Sequence, residues 1–311
     1  MANLLGETFR VAYGDLCFLK RHLPETAISA VVGPLLYLVA FAYGMRSGEM
    51  EHGVEYVAYA IPGIMAMSSM TAGFTSTAQK LIIQRLFHTS FDELILSPMH
   101  TSAIVFGKSV MGLIRGILGS MILLGLGLFL TDDLVIGPAV VIATLFSCTT
   151  FALLGVAAGL LAKSSASMNV FTSLVIMPMT FLCGTIFSVS ALPAVVGDIV
   201  WMLPLTHSSE MIRACALGWD IPWASVLVLF IYTAIFYAID YIIIRKKLYR
   251  CRRSIGGNGL SREDGPPGIK VHSLDSMPRF TASRTSDEEY APPLCFMTKP
   301  MTRFAAFSFF L

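Results

Sequence analysis

The sequence predicts an all-α membrane protein with six transmembrane helices. Of its 311 residues 55% are hydrophobic and only 14% charged, against about 25% charged in soluble domains. Six apolar segments have roughly the 17–25 residues that cross a hydrocarbon core. Charged residues alternate in kind from loop to loop, which orients the chain where the net charge of +2 does not.

The elements follow in chain order. Residues 1–25 hold an amphipathic interfacial or cytoplasmic helix, with Leu5, Phe9, Ala12, Leu16 and Leu19 recurring at steps of four and three and Glu7, Arg10, Asp15 and Lys20 elsewhere on the wheel. Such a helix either lies in the lipid interface or packs on its own protein. Glu7, Arg10 and Asp15 precede any apolar run, so no cleavable leader is expected and the first span is retained. The spans are placed at 26–44, 56–76, 102–130, 136–162, 169–191 and 223–244 within a membrane domain of residues 26–250. The third is long enough to tilt. Residues 251–311, rich in Gly, Pro and scattered charge, read as a disordered cytoplasmic tail.

Two stretches are neither span nor simple connector. Residues 79–108 carry Lys80, Arg85, His88, Asp92 and Glu93 interleaved with Leu81, Ile82, Leu86, Phe87, Leu94, Ile95 and Leu96. That apolar content is enough for short helices that press on something, so this insert is read as the contact with a cytoplasmic partner. Residues 183–221 are too hydrophobic for a free loop and too broken, by Pro193 and Pro204, for a span. They are read as re-entrant or interfacial helices on the outer face, including a helical stretch from His207 to Leu217.

Flanking charge sets the topology. Arg10, Lys20, Arg21, Lys80, Arg85, Lys163 and the cluster Arg245, Lys246, Lys247, Arg250, Arg252 and Arg253 fall on one side. The other side has Arg46 and Arg213 among Glu49, Glu51, Glu55, Asp132, Asp133, Asp198, Glu210 and Asp220. Both termini are therefore expected in the cytoplasm. Within the third span, Lys108 and Arg115 lie two turns apart on one face, directed either to a polar cavity or partner subunit or, by snorkelling, to headgroups. Asp240 is expected to reach the cytoplasmic interface. The pairs Gly112/Gly116 and Gly155/Gly159 permit close helix approach within or between subunits.

Several chemistries lack their residues. Gly107-Lys108-Ser109 ends like a phosphate-binding loop, but Ser102 stands where its first glycine belongs and no strand precedes it. The six cysteines and six histidines show no metal-ligand spacing. Cys183 and Cys215 are either a pair near one membrane face or two small apolar thiols. No acidic residue lies mid-span, as a coupling-ion transporter requires, so transport would draw its energy elsewhere. No filter-like run supports a channel, and no nucleic-acid partner is implied.

Three groups of residues carry a resemblance. They are Gly33-Pro34-Leu35-Leu36-Tyr37-Leu38 with Tyr59-Ala60-Ile61-Pro62-Gly63-Ile64; Phe91-Asp92-Glu93-Leu94-Ile95-Leu96-Ser97-Pro98 with Ile104 and Gly107-Lys108; and Gly184, Phe187, Leu192-Pro193 and Leu203-Pro204-Leu205-Thr206-His207 with Glu210 and Arg213. In order and spacing they resemble the permease subunit of type-2 ABC exporters, most like the lipo-oligosaccharide (nodulation-factor) and polyketide-drug exporter branch. Where an Arg and Gly often precede the family's acid, this chain has His88-Thr89-Ser90, and its long tail has no counterpart.

The resemblance implies a six-span subunit working with a second copy of itself or a related permease, in contact with membrane lipids. A separate cytoplasmic ABC ATPase would bind MgATP, so this chain would hold no cofactor or metal and would not itself be an enzyme. A coupling helix would comprise Phe91, Asp92, Glu93, Leu94, Ser97 and Pro98, flanked by Arg85 and Lys108. Asp92 would either pair with the ATPase or cap its own helix. Gly184, Phe187, Leu192, Pro193, Pro204, His207, Glu210 and Arg213 would belong to an extracellular re-entrant gate. Export of a lipo-oligosaccharide, lipid-linked glycan or lipophilic drug is the function implied; the alternative is a non-transporting membrane scaffold that docks a cytoplasmic partner.

Overall fold

The computed structural model describes residues 4–21, 24–25, 28, 32–36, 38–39, 56–86, 91, 94–95, 97, 99–131, 134, 137–182, 197 and 200–257. The chain divides into units of residues 1–260 and 261–311, and everything described lies in the first. Among the described residues all the regular structure is helical, its main elements being α1 (Leu4–Arg21), α2 (Tyr56–Leu86), α3 (Thr101–Leu130), α4 (Pro138–Leu161), α5 (Ser165–Phe171), a π turn (Thr172–Ile176), α6 (Met177–Leu182), α7 (Pro204–Leu217) and α8 (Trp223–Gly257). Of the six expected spans, α3, α4 and the Trp223–Tyr249 part of α8 are met by helices long and apolar enough to cross a membrane. Of the first expected span only short helical pieces are described.

Helix α2 is the centre of the bundle, packed against α3, α4 and α7. Its long faces therefore meet protein, and its sequence is less apolar for that reason. Ser68, Ser69, Ser76 and Thr77 are buried in it. Ser69 Oγ donates to the Ala66 carbonyl at 2.7 Å and Thr77 Oγ1 to that of Gly73 at 3.0 Å, which satisfies hydroxyls that would otherwise be costly to bury. Small residues bring the partners close. A Cβ on Gly155 of α4 would lie 2.8 Å from the Phe74 carbonyl oxygen, and one on Gly112 of α3 would collide with Thr77 and the Gly73 backbone. Both glycine pairs thus serve contacts within one chain.

Boundaries differ from expectation at three places. Helix α2 runs past residue 76 to Leu86, so the first part of the insert is a continuation of α2. Helix α8 runs through residue 251 to Gly257. The fifth expected span is broken just before Pro178, where the Met177 N–H donates to the Thr172 carbonyl five residues back; proline offers no N–H to continue the regular ladder. Helix α7 begins at Pro204, with proline in the first turn where its missing N–H costs nothing. It ends on Gly218 at φ 69°, a left-handed cap that favours glycine.

Asp240 departs from the sequence reading. Its side chain does not reach an interface but is fully buried in α8, with no hydrogen-bond partner for either oxygen among the described residues. It shares a helix face with Ile244, four residues on, which is buried with Leu153, Val156 and Leu160 of α4.

Candidate coupling and gate sites

The insert end of the bundle is built around two side chains, Phe91 and Ile95, which are 1% and 2% exposed. They are buried with Leu81 of α2, Ile104 and Val105 of α3, Leu153, Val156 and Leu160 of α4 and Ile244 of α8. Leu94 is half-buried against the same cluster. Lys247 of α8 places its Nζ 5.2 Å from the Phe91 ring centre, a cation–π contact. Ser97 Oγ donates to the Leu94 carbonyl at 2.6 Å, closing the turn that leads into α3. Phe91 and Ile95 are thus keyed between four helices. Asp92, Glu93 and Pro98 lie outside the described residues.

The N-terminal helix holds this end from the side, by a face the hydrophobic wheel does not reveal. Its buried residues are Glu7, Val11, Ala12, Asp15 and Leu19, whereas Phe9 and Tyr13 are exposed. Both acids point inward because each finds partners there. Glu7 Oε2 accepts from the His100 backbone N–H at 2.9 Å and lies 3.0 Å from His100 Nδ1, so it caps the start of α3. These hydrogen bonds, the backbone one foremost, hold the Glu7 carboxyl below its usual range. Asp15 Oδ1 lies 3.2 Å from Lys80 Nζ and accepts from Gln84 Nε2 at 3.2 Å, and its Oδ2 lies 3.6 Å from Lys108 Nζ. Lys108 also donates to Gln84 Oε1 at 2.7 Å. Gly107 makes room for this docking, since a Cβ there would lie 2.6 Å from Val11. The Gly107-Lys108 pair is therefore a helix-docking element in this fold.

Arg85 is turned inward. Its Nη1 donates to the carbonyls of Gly159 at 2.7 Å, Leu160 at 2.5 Å and Ala162 at 3.2 Å, so it caps the C-terminal end of α4. Arg115 is half-buried in α3.

The opposite end of the bundle is organised by α7, whose Pro204, His207 and Arg213 are buried and whose Glu210 is half-buried. Arg213 lies 3.8 Å over the Tyr59 ring of α2 and its Nε donates to the Tyr59 carbonyl at 3.3 Å. His207 Nε2 is 2.8 Å from the Trp201 carbonyl oxygen and its Nδ1 3.2 Å from Ser225 Oγ, while Ser225 donates to Glu210 Oε2 at 2.6 Å. Ser208 continues into the core through Ser147 of α4, 2.5 Å away, to Ser69 of α2 at 2.8 Å. Gly184, Phe187, Leu192 and Pro193 lie outside the described residues. Cys215 is a free, half-buried thiol, and Cys183 lies outside the described residues.

Sequence reasoning missed Asp15, Gln84, Ser225 and the serine chain as site residues. For Asp15 a signal existed in the i, i+4 stripe Glu7, Val11, Asp15, which is a helix face with acids at its edges. The others sit among apolar neighbours with no local mark.

Among the described residues, a helical bundle with three helices long and apolar enough to cross a membrane marks the chain as a membrane protein. The chain matches the family profile "ABC-2 type transporter" over residues 17–217. It belongs to that family, whose members are permease subunits of ABC transporters, not themselves enzymes, and work with an ATPase subunit. It is 26% identical over 227 residues to the inner membrane transport permease YadH of Escherichia coli (strain K12), covering 71% of this chain and 88% of that one. It is 29% identical over 243 residues to nodulation protein J of Rhizobium leguminosarum bv. viciae, covering 73% and 90%. Nodulation protein J of Rhizobium meliloti (strain 1021) is 27% identical over 207 residues, covering 62% and 76%.

Proposed function

We propose that the chain is the membrane half of an ATP-driven exporter, six-spanning, paired with a second permease copy, with both termini in the cytoplasm. The observation that supports this most is the burial of Phe91 and Ile95 among α2, α3, α4 and α8. Closure of two ATPase subunits on MgATP would push the insert, and a push there tilts four helices together, because a close-packed end moves as a body. The cavity between permease copies then opens outward, and α7 with residues 183–203 forms the outer gate. Asp92 and Glu93 supply the charge that meets the ATPase. The substrate class is an amphipath such as a lipo-oligosaccharide, lipid-linked glycan or lipophilic drug, following the branch resemblance and the similarity to nodulation protein J. The ATPase biases the equilibrium because binding energy alone moves nothing unless the two states differ in affinity.

The test is reconstitution in liposomes with the ATPase that co-purifies with the chain, using a fluorescent lipid-linked glycan and a lipophilic dye as probes. ATP-dependent movement of either, lost in an ATPase-dead partner, is expected. Stable partner binding with no nucleotide-dependent movement of any amphipath would favour the scaffold reading, and full-rate movement without a hydrolysing partner would overturn the exporter reading.

A further inference from the structure

The hydrogen bonds around His207 require one proton more than a neutral imidazole and a carboxylate hold. The Trp201 carbonyl can only accept, so Nε2, 2.8 Å away, carries a hydrogen. Nδ1 lies 3.2 Å from Ser225 Oγ, whose single proton is given to Glu210 Oε2. With that proton committed, Nδ1 must donate as well. The other complete arrangement puts the proton on Glu210 and turns the serine hydroxyl toward Nδ1, and the total is the same. The 2.6 Å separation of Ser225 and Glu210 matches an O–H donating to an ionised oxygen, roughly 2.5–2.7 Å. The short Ser225–Glu210 separation favours an imidazolium, a hydroxyl and a carboxylate in series, with the 3.2 Å from Nδ1 to Oγ at the long end for an N–H donor.

We infer that His207, Ser225 and Glu210 form a proton-binding clasp between α7 and α8. It is complete only with the extra proton bound. Without it, Ser225 serves either the imidazole or the carboxylate and one of the three bonds is lost, so α7 is held less firmly to α8. The clasp also carries the preceding loop, because the Trp201 ring meets the His207 ring edge-on at 5.0 Å and Tyr232 of α8 donates to the Met202 carbonyl at 2.6 Å. At this end of the elements packed together, the other titratable or charged groups are, among the described residues, Tyr59 of α2, Cys148 of α4, Arg213 and Cys215 of α7, Tyr232 in the first turns of α8 and Asp220 before it; Lys80 and Arg85 of α2 and the charged residues of α8 from Asp240 onward lie toward the far ends of their helices. Arg213 is engaged with Tyr59. Because this arrangement binds the proton, the clasp is present at low pH and is lost as pH rises. The inference rests on local geometry and stands whether or not the chain exports anything.

The test uses the full chain in lipid nanodiscs with ring-15N histidine, the His207 signal being assigned by its loss in His207→Gln. In a series of samples from about pH 5 to pH 8, loss of the extra proton should show as wild-type His207 passing from two protonated ring nitrogens to one. Over the same interval, amide exchange in α7, corrected for intrinsic rate, should rise about threefold to tenfold, the effect of one hydrogen bond. In Glu210→Gln the amide donates to Ser225 and the hydroxyl to Nδ1, so every bond is made without an extra proton. That variant should keep one protonated ring nitrogen throughout and show flat exchange in α7. A wild-type His207 singly protonated across the whole interval together with flat exchange in α7 would overturn the clasp, and so would a Glu210→Gln variant that behaves like wild type in both readouts.

Discussion

Asp15→Asn isolates the charge that fastens the N-terminal helix, since the asparagine carbonyl still accepts from Gln84. In the wild type the carboxylate lies 3.2 Å from Lys80 Nζ and 3.6 Å from Lys108 Nζ, with side-chain exposures of 7% for Asp15, 20% for Lys80 and 10% for Lys108. Removing one member of a buried ion set costs about 3–5 kcal/mol, chiefly because its partners stay buried and uncompensated. Lys80 is partly solvated and the contacts are not short, so the lower end, about 3 kcal/mol, applies. At roughly 2–4 °C per kcal/mol, the melting temperature of the purified protein should fall by about 6–12 °C. Cys17, already exposed on α1, should label with maleimide faster as the helix loosens. The double variant Asp15→Leu, Lys108→Met removes the charge together with its more buried partner and should recover part of the loss. An Asp15→Asn protein melting within about 1 °C of wild type would refute the assignment.

Other outcomes follow from the same geometry. The Glu7 carboxyl is held below its unfolded value by His100, so its contribution is complete above the unfolded carboxyl range, about pH 4.3, and is lost as pH falls through the folded value. Protease protection of α1 should therefore drop in acid, and Glu7→Gln should remove that acid limb. Arg85→Gln leaves the carbonyls of Gly159, Leu160 and Ala162 without their charged donor and should cost about 2–3 kcal/mol in thermal unfolding, a loss that a residue acting only on a partner would not show. Asp240→Leu replaces a buried carboxyl that has no partner among the described residues with an apolar side chain of similar size, and should leave the melting point unchanged or raise it by the equivalent of about 1–3 kcal/mol.

The frame of the fold was legible because lipid-facing helices announce themselves. The starts of α3 and α8 fall at or beside the residues where apolar runs begin, and Pro204 and Gly218 bracket α7 with ordinary end signals. Helix α2 was less legible toward its end. The amphipathic run from Lys80 to Arg85 reads like a separate helix, whereas Leu81 and Ile82 are buried and continue the packed face of α2. The face of α1 was illegible for a different reason: acids are normally solvated, and here their partners, Lys80, Gln84, His100 and Lys108, lie far along the chain. The resemblance implied coupling roles for Arg85 and Lys108, beside Gly107, and a gate role for His207, without indicating what each touches inside the chain. Contacts supply the reasons, and for Gly107, Lys108 and Arg85 these are docking and capping. Ser225 gave no signal, and Asp240 was read as interfacial, since a lone serine or acid is ordinary in sequence and its burial depends on the neighbouring helix.

The most direct test of the coupling role is to place a single cysteine at Ser97 in a cysteine-free chain and cross-link it in native membranes with the ATPase present. The account predicts blocking by membrane-impermeant reagent only after the cytoplasmic side is opened, and a cross-link to the ATPase whose yield changes when nucleotide is added. Labelling from the outside of sealed cells, or a cross-link yield indifferent to both partner and nucleotide, would contradict it.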